Sequence, residues 1–209
     1  MKKWLRVGAW LAFLLVLGVS AAMLILQGRG FSARPQPASL EARLALFMRG
    51  WLTPSTYKGL LNPVSNTTEN FVAAREHYAD HCASCHGNDG SGNTEIGRNL
   101  YPKAPDMRLP RTQQLSDGEL FYIIENGVML TGMPGWSTGT PEGEKSSWQL
   151  VHFIRRLSTL TAEDLQEMEK FNPVSRSQFE EEKRIEDFLS GADQPPAAAD
   201  PHAGHRPPK

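Results

Sequence analysis

One pentapeptide, Cys82-Ala83-Ser84-Cys85-His86, constrains the fold of this chain more than any other feature. Two cysteines separated by two residues and followed directly by histidine match the spacing of covalent haem attachment. The two thiols can reach both vinyl groups of one haem, and the adjacent imidazole can then bind the iron. The chain has only these 2 cysteines, so no thiol remains for a disulfide. The motif therefore predicts one covalent haem c, with Cys82 and Cys85 as thioether positions and His86 as an iron ligand.

The same cysteines have two other interpretations. A redox-active dithiol would need a βαβ context, and the sequence shows none. A zinc site is the second alternative, because His77 and His81 lie just upstream and would complete a Cys2His2 set. A suitable second axial ligand appears downstream, and it favours haem over both alternatives.

Length and composition place the rest of the chain around one compact domain. The chain has 209 residues and a net charge of −1, which does not indicate a nucleic-acid partner. It contains no P-loop, no G-x-G-x-x-G fingerprint and no H-E-x-x-H helix. We expect five parts, in chain order: a membrane anchor or signal (1–30), a linker with a short amphipathic helix (31–67), a haem domain (68–160), a charged helical extension (161–190) and a disordered tail (191–209).

The N-terminus has the pattern of a membrane segment. Lys2, Lys3 and Arg6 precede an uncharged apolar run from Val7 to Leu26, and a helix of about 20 residues is long enough to span a bilayer core. A cleaved signal is the alternative, with Val19–Ala21 as the cleavage site, but the apolar run continues past it. Haem is attached to this motif outside the bacterial cytoplasm, so we expect a single-pass anchor in the cytoplasmic membrane with the haem domain in the periplasm.

The second apolar pattern is short. Ser39 to Trp51 has apolar residues at helical spacing, at Leu40, Leu44, Phe47 and Met48. Two interpretations stay open for this helix. It lies at the membrane surface or against a partner, or it packs on the haem domain.

Three helices are expected within the haem domain. Thr68 or Asn70 can cap a helix that runs into the C-x-x-C-H motif. Ser116–Glu119 has the form of a capping box, opening a helix to Glu125 that Gly127 would end. After a loop from Thr131 to Pro141, the segment Glu144 to Leu157 predicts a helix with one apolar stripe. The members of that stripe are Trp148, Val151, Ile154 and Leu157.

This order of elements resembles the class I cytochrome c fold, and it is most similar to small bacterial domains related to the haem subunit of cbb3-type oxidases. The resemblance covers about Phe71 to Leu157 and implies an all-α domain. Cys82 and Cys85 match the thioether positions, and His86 matches the proximal ligand. Gly132-Met133-Pro134 matches the distal methionine loop, so the resemblance implies Met133 as the sixth ligand.

Further residues carry over from the resemblance. Ala104-Pro105-Asp106 looks like the segment whose proline carbonyl accepts the proximal histidine's ring N–H, although Pro102 competes for that role. Tyr78, with Phe153 or Trp148, looks like the packed crossing of the first and last helices, and Trp136 resembles the aromatic residue beside the methionine loop. Met107 and Met129 are alternative sulfur donors.

The predicted function is one-electron transfer between redox partner proteins in or at the membrane, as a carrier or a subunit of a larger complex, rather than catalysis by this chain itself. The alternative is a haem enzyme or gas sensor, which would require a labile sixth ligand. His77, His81 and His152 are interpreted as packing or surface residues. His202 and His205 in the tail would suit weak copper or nickel binding, or are incidental histidines of a charged end.

Overall fold

A computed structural model describes residues 2–30, 32–174 and 176–190 of the chain. The described residues form α-helices and loops without a β-strand, so the predicted all-α class is confirmed. The predicted tail, with His202 and His205, lies outside the described residues. The helices are α1 (Lys2–Arg29), α2 (Ser39–Leu52), α3 (Ser55–Lys58), α4 (Thr68–His77), α5 (Ala83–His86), α6 (Glu95–Asn99), α7 (Pro110–Gln113), α8 (Asp117–Asn126), α9 (Pro141–Arg156), α10 (Ala162–Glu169) and α11 (Arg176–Leu189).

The core is organised by the crossing of α4 and α9. Phe153 of α9 is completely buried, and its ring centroid lies 5.7 Å from that of Phe71 and 4.7 Å from that of Tyr78. On the same helix Trp148 stacks on Phe121 of α8, with centroids 4.1 Å apart and an interplanar angle of 6°. Phe153 is therefore the aromatic partner of Tyr78 at the crossing, whereas Trp148 joins α9 to α8.

The start of α4 differs from the prediction by one residue. The N-cap is Thr67, whose hydroxyl accepts a hydrogen bond from the backbone N–H of Asn70 at 3.3 Å. Thr68, one of the two predicted caps, is the first residue of the helix, and Asn70 is the donor to the cap. The sequence Thr-Thr offers two adjacent hydroxyls, and only the backbone conformation distinguishes them.

The predicted capping box of α8 is confirmed. The Ser116 hydroxyl accepts from the Glu119 N–H at 3.2 Å, and a Glu119 carboxylate oxygen accepts from the Ser116 N–H at 2.8 Å. The helix ends at Gly127, whose φ of 70° is a left-handed conformation that favours glycine. The next long helix, α9, begins at Pro141 rather than at Glu144, because Thr140 caps it and proline is favoured in the first turn.

The predicted stripe of α9 is buried as expected. Trp148, Val151 and Ile154 are at most 6% exposed, and Leu157, in the 3₁₀ turn Leu157–Thr159 that follows, is 3% exposed. The periodicity of this segment therefore indicates both its helical structure and the side that faces the core.

The chain divides into two compact units, Met1–Phe171 and Asn172–Lys209. In the first unit, Met168 of α10 is fully buried and belongs to the core cluster, with Leu160 and Leu165 packed against it. Arg75 of α4 also donates to Asp164 of α10 at 3.0 Å. The part of the charged extension that forms α10 is therefore packed against the core. In the second unit, α11 has exposed apolar residues, including Phe179 and Phe188.

Candidate haem site

The C-x-x-C-H motif lies on a distorted helical turn. A π-helical turn, Tyr78–Cys82, follows α4 and leads into α5, which carries Cys85 and His86. A single π turn shifts the angular register of all later residues, and such turns are frequent at functional sites. Gly87 ends α5 with a φ of 75°, and the buried Tyr78 hydroxyl donates to the Gly87 carbonyl at 3.0 Å. The turn that carries the motif is thus tied back to the start of the π turn.

Cys82 and Cys85 are both partly shielded from solvent. Burial, and secondarily the neighbouring Cys85, raises the pKa of Cys82 to about 12. In a redox-active dithiol the pKa of the attacking cysteine is lowered, whereas burial raises that of Cys82. A thioether sulfur has no proton to lose, so the same apolar surroundings suit thioether attachment.

The zinc alternative has no geometric support. Among residues 2–30, 32–174 and 176–190, no group of three or more histidine, cysteine, aspartate or glutamate side chains is arranged to share a metal ion. His77 and His81 instead contact each other edge to face, with ring centroids 4.9 Å apart. His152, the third histidine interpreted as packing, pairs through Nε2 with the Val64 carbonyl at 2.7 Å.

One ring nitrogen of His86, Nδ1, is buried without a hydrogen bond. Within the described residues, its Nδ1 is one of only two buried side-chain nitrogen or oxygen atoms that make no hydrogen bond. Burial lowers the pKa of the imidazole, and a backbone interaction with Pro105 partly opposes that shift. Proline has no N–H, so the interacting group is the Pro105 carbonyl. The Pro105 carbonyl lies near the His86 ring, but the two make no hydrogen bond of standard geometry. An imidazole held neutral by burial keeps a nitrogen lone pair for a metal.

The loop that brings Pro105 to His86 is held against the motif by close backbone approaches. The Thr94 hydroxyl, which caps α6, also lies 2.8 Å from the Ser84 carbonyl and donates to it. A Cβ at Gly97 would overlap the Cys85 carbonyl, and one at Gly92 would overlap the Ala104 carbonyl. Both positions therefore require glycine for the loop to lie this close.

An ion-pair cluster fixes the same loop immediately after Pro105. Arg108 binds Asp106 at 2.8 Å and Asp89 at 3.2 Å. The hydrogen bond from Arg108 holds the pKa of the Asp106 carboxyl below its ordinary value. The sequence analysis does not predict this ion-pair cluster or the contact of Thr94 with the motif. The glycines of the loop and the threonine before α6 were the sequence signals for a close approach of this loop to the motif.

Met133 lies in a loop anchored to the end of α8. Its carbonyl accepts from the Val128 N–H at 3.1 Å, and its own N–H donates to the Thr131 hydroxyl at 3.1 Å. A Cβ at Gly127 would come within 2.6 Å of the Met133 carbonyl oxygen, so the loop packs directly on the helix terminus. The Met133 side chain is half-buried.

Two contacts beside Met133 bring this loop to the C-x-x-C-H region. The Trp136 ring meets the His81 ring edge to face, with centroids 5.6 Å apart, and His81 directly precedes Cys82. On the other side, a Cβ at Gly132 would overlap the Leu100 side chain, so the loop also lies against the segment that leads to Pro105. The fold thereby brings together three segments that are distant in sequence: the motif, the Pro105 loop and the Met133 loop.

The other methionines with candidate sulfurs have different surroundings. Met129, in the same loop, is 82% exposed. Met107 is 7% exposed and belongs to the hydrophobic core. The exposure of Met133 thus lies between those of Met129 and Met107. Its loop also contains Trp136, which contacts His81 of the motif region. Two partly shielded cysteines, an imidazole with a buried Nδ1 that makes no hydrogen bond, and a methionine in a loop that contacts the motif through Trp136 form a donor set that fits a covalent haem.

Residues 69–154 match the family model of cytochrome c oxidase, cbb3-type, subunit III. The match includes the C-x-x-C-H motif, the Pro105 loop, the Met133 loop and most of α9, and it covers less than half of the chain. No curated protein matches the chain. Cytochrome c domains hold haem c and support haem-based electron transfer. Residues 69–154 are therefore similar to the cytochrome c domain of cbb3-type oxidase subunit III, a similarity that supports haem-based electron transfer in general.

Proposed function

We propose that this chain transfers single electrons through one haem bound covalently by Cys82 and Cys85, with His86 and Met133 as axial ligands. The observation that carries the proposal is the convergence of the motif and the Met133 loop through the His81–Trp136 and Leu100–Gly132 contacts. Bound haem supplies a reversible one-electron iron couple, and histidine–methionine ligation raises its reduction potential. The chain's own contribution is to hold the ligands on short, restrained segments.

The Pro105 carbonyl has a supporting role in this proposal. It already lies near the His86 ring, and the Arg108 ion pairs restrain the loop that presents it. A carbonyl that accepts the ring N–H fixes the tautomer and orientation of a metal-binding imidazole. Pro105, rather than Pro102, is therefore the proposed partner of the proximal histidine.

Membrane tethering is the second part of the proposal. Lys3–Gly28 is long and apolar enough to cross a membrane, and none of its most apolar stretch is buried within the protein. At 1.5 Å per residue, a helix of 26 residues is about 39 Å long, which exceeds a hydrocarbon core of about 30 Å. A tethered haem domain on the periplasmic side would meet membrane redox partners at a raised effective concentration.

Replacing Met133 tests the haem ligation. We expect Met133→Ala to keep covalent haem, because both thioether positions remain, but to have a lower reduction potential and to bind carbon monoxide rapidly. The measurements are redox titration and absorption spectroscopy of the reduced protein with carbon monoxide. Met129→Ala, in the same loop, is the matched control and should behave as the wild type.

The outcome against this assignment is a Met133→Ala protein with an unchanged low-spin spectrum and potential. Rapid carbon monoxide binding by the wild-type protein would instead favour the haem enzyme or gas sensor. For the tether, N-terminal sequencing of the mature protein distinguishes an intact anchor from a cleaved signal, which would leave a new N-terminus near Ala22.

A further inference from the structure

The helix α2 presents two unlike faces. Ala42, Leu46 and Arg49 are half-buried and recur at helical spacing, followed by the buried Thr53 at the helix end. Burial lowers the pKa of Arg49, with Arg111 adding to the shift and Glu119 opposing it. Both of these residues belong to the haem domain, so the face that includes Arg49 is directed towards that domain.

The opposite face consists of large apolar side chains in contact with solvent. Leu44 is 58% exposed, Phe47 66% and Trp51 69%. At about 100° per residue, these three positions lie on the side of the helix opposite Arg49. With Leu40, which is 73% exposed, they form a stripe about 17 Å long. We call these four residues the α2 stripe. No residue of α2 itself is buried.

Two features of the chain favour a membrane surface as the partner of the α2 stripe. Residues 30–38 connect α1 to α2, and a segment of this length reaches at most about 36 Å when fully extended. Whatever membrane α1 spans, α2 therefore stays close to its surface. The exposed cations Arg34 and Arg43 lie before and beside the stripe, where they can meet anionic headgroups.

The chemistry of the stripe suits a lipid interface. Interfacial helices combine an apolar face containing tryptophan, phenylalanine or leucine with basic residues nearby. Trp51 ends the stripe, and aromatic rings of this kind favour the headgroup region. A single exposed helix face matches shallow insertion between headgroups.

We infer that α2 lies in the headgroup layer of the membrane spanned by α1, with the α2 stripe inserted into lipid and the Arg49 side of the helix against the haem domain. This inference rests on the proposed membrane anchor. Through it, α2 holds the haem domain on the membrane surface and limits its rotation relative to redox partners in the same plane.

The test uses full-length holoprotein in vesicles of phosphatidylcholine with one quarter phosphatidylglycerol. Phe47→Cys places a spin label on the stripe, and Ala45→Cys is the matched control, since Ala45 is exposed on the same helix but off the stripe. Relaxation of each label by oxygen, which enriches in lipid, is compared with relaxation by a water-soluble nickel chelate. The haem iron also relaxes both labels, so the comparison uses only the change in relaxation that each added relaxant causes.

We expect the Phe47 label to respond to oxygen and lose its response to nickel, whereas the Ala45 label stays accessible to nickel. Equal access of nickel to both labels overturns the inference. So does a Phe47 label that is shielded from both relaxants, or broadened by a second label, because either result indicates a protein interface.

Three controls separate this inference from the proposals it rests on. Protein that fails to float with the vesicles overturns the anchor and the α2 inference together. In a second outcome, the protein floats with the vesicles and resists extraction by alkaline carbonate, but its Phe47 label stays accessible to nickel. That result overturns the α2 inference alone. Label uptake by the wild-type holoprotein would contradict haem attachment at both cysteines, independently of α2.

Discussion

Helices α9 and α2 both have apolar residues at helical spacing, but only α9 buries them. Phe153 of α9 is 0% exposed, whereas Phe47 of α2 is 66% exposed. The α9 stripe meets α4 and α8, while the half-buried side of α2 is the one that bears Arg49. An amphipathic pattern thus predicts a helix and an apolar face, but it does not identify what covers that face. In α9 the cover is the protein core, and in α2 we infer that it is lipid.

The largest expected effect contrasts the two phenylalanines. Phe153→Ala removes a ring that packs on both Phe71 and Tyr78, and we expect a loss of about 3–5 kcal/mol in the free energy of unfolding. Phe47→Ala should change it by no more than about 0.5 kcal/mol in detergent solution. Denaturant titration followed by circular dichroism measures both. A large loss for Phe47→Ala would show that the α2 stripe packs within the protein and would remove the contrast.

A second contrast compares the two helices of the charged extension. Met168 of α10 is 0% exposed, and Met168→Ala should destabilise the protein by about 2–4 kcal/mol. Phe188 of α11 is 74% exposed, and Phe188→Ala should have little effect on the same measurement. Similar small losses in both variants would mean that α10, like α2, only lies alongside the core.

The smallest effect concerns the ion pair between Arg75 and Asp164. Burial alone would raise the pKa of Asp164, but hydrogen bonds from Thr161 and Arg75 outweigh it and hold that pKa below the ordinary 3.8. Asp164→Asn should therefore cost about 1 kcal/mol at neutral pH, since the side chains are only 14% and 19% exposed.

The pH dependence of this cost follows from the lowered pKa. The difference between wild type and Asp164→Asn should be complete above pH 3.8 and disappear as the pH falls through the lower pKa of the folded protein. Denaturation midpoints across this range provide the measurement. Glu167→Gln, whose pair with Lys170 is exposed, is the control and should match the wild type. A difference that persists in acid would assign the effect to packing rather than charge.

Much of the fold was predictable because its signals are local. The capping box at Ser116–Glu119, the glycine stop at Gly127 and the buried stripe of α9 each depend on residues within one or two turns. Predictions that involved a choice between neighbours were less accurate. The sequence predicts an N-cap at Thr68 or Asn70, whereas the structure has it at Thr67, and α9 begins at Pro141, before the predicted Glu144.

The sequence by itself determined the candidate donor set: two thiols and an imidazole at C-x-x-C-H spacing, a methionine in a Gly-Met-Pro loop and a proline-rich segment between them. These are properties of covalent order and residue chemistry. The tertiary structure decided which segments meet: Pro105 at His86, Trp136 at His81, and Met168 in the core. It also decided that α2 directs its apolar residues away from the protein. Such contacts join residues far apart in the chain, and they depend on how whole helices pack, which local periodicity does not specify.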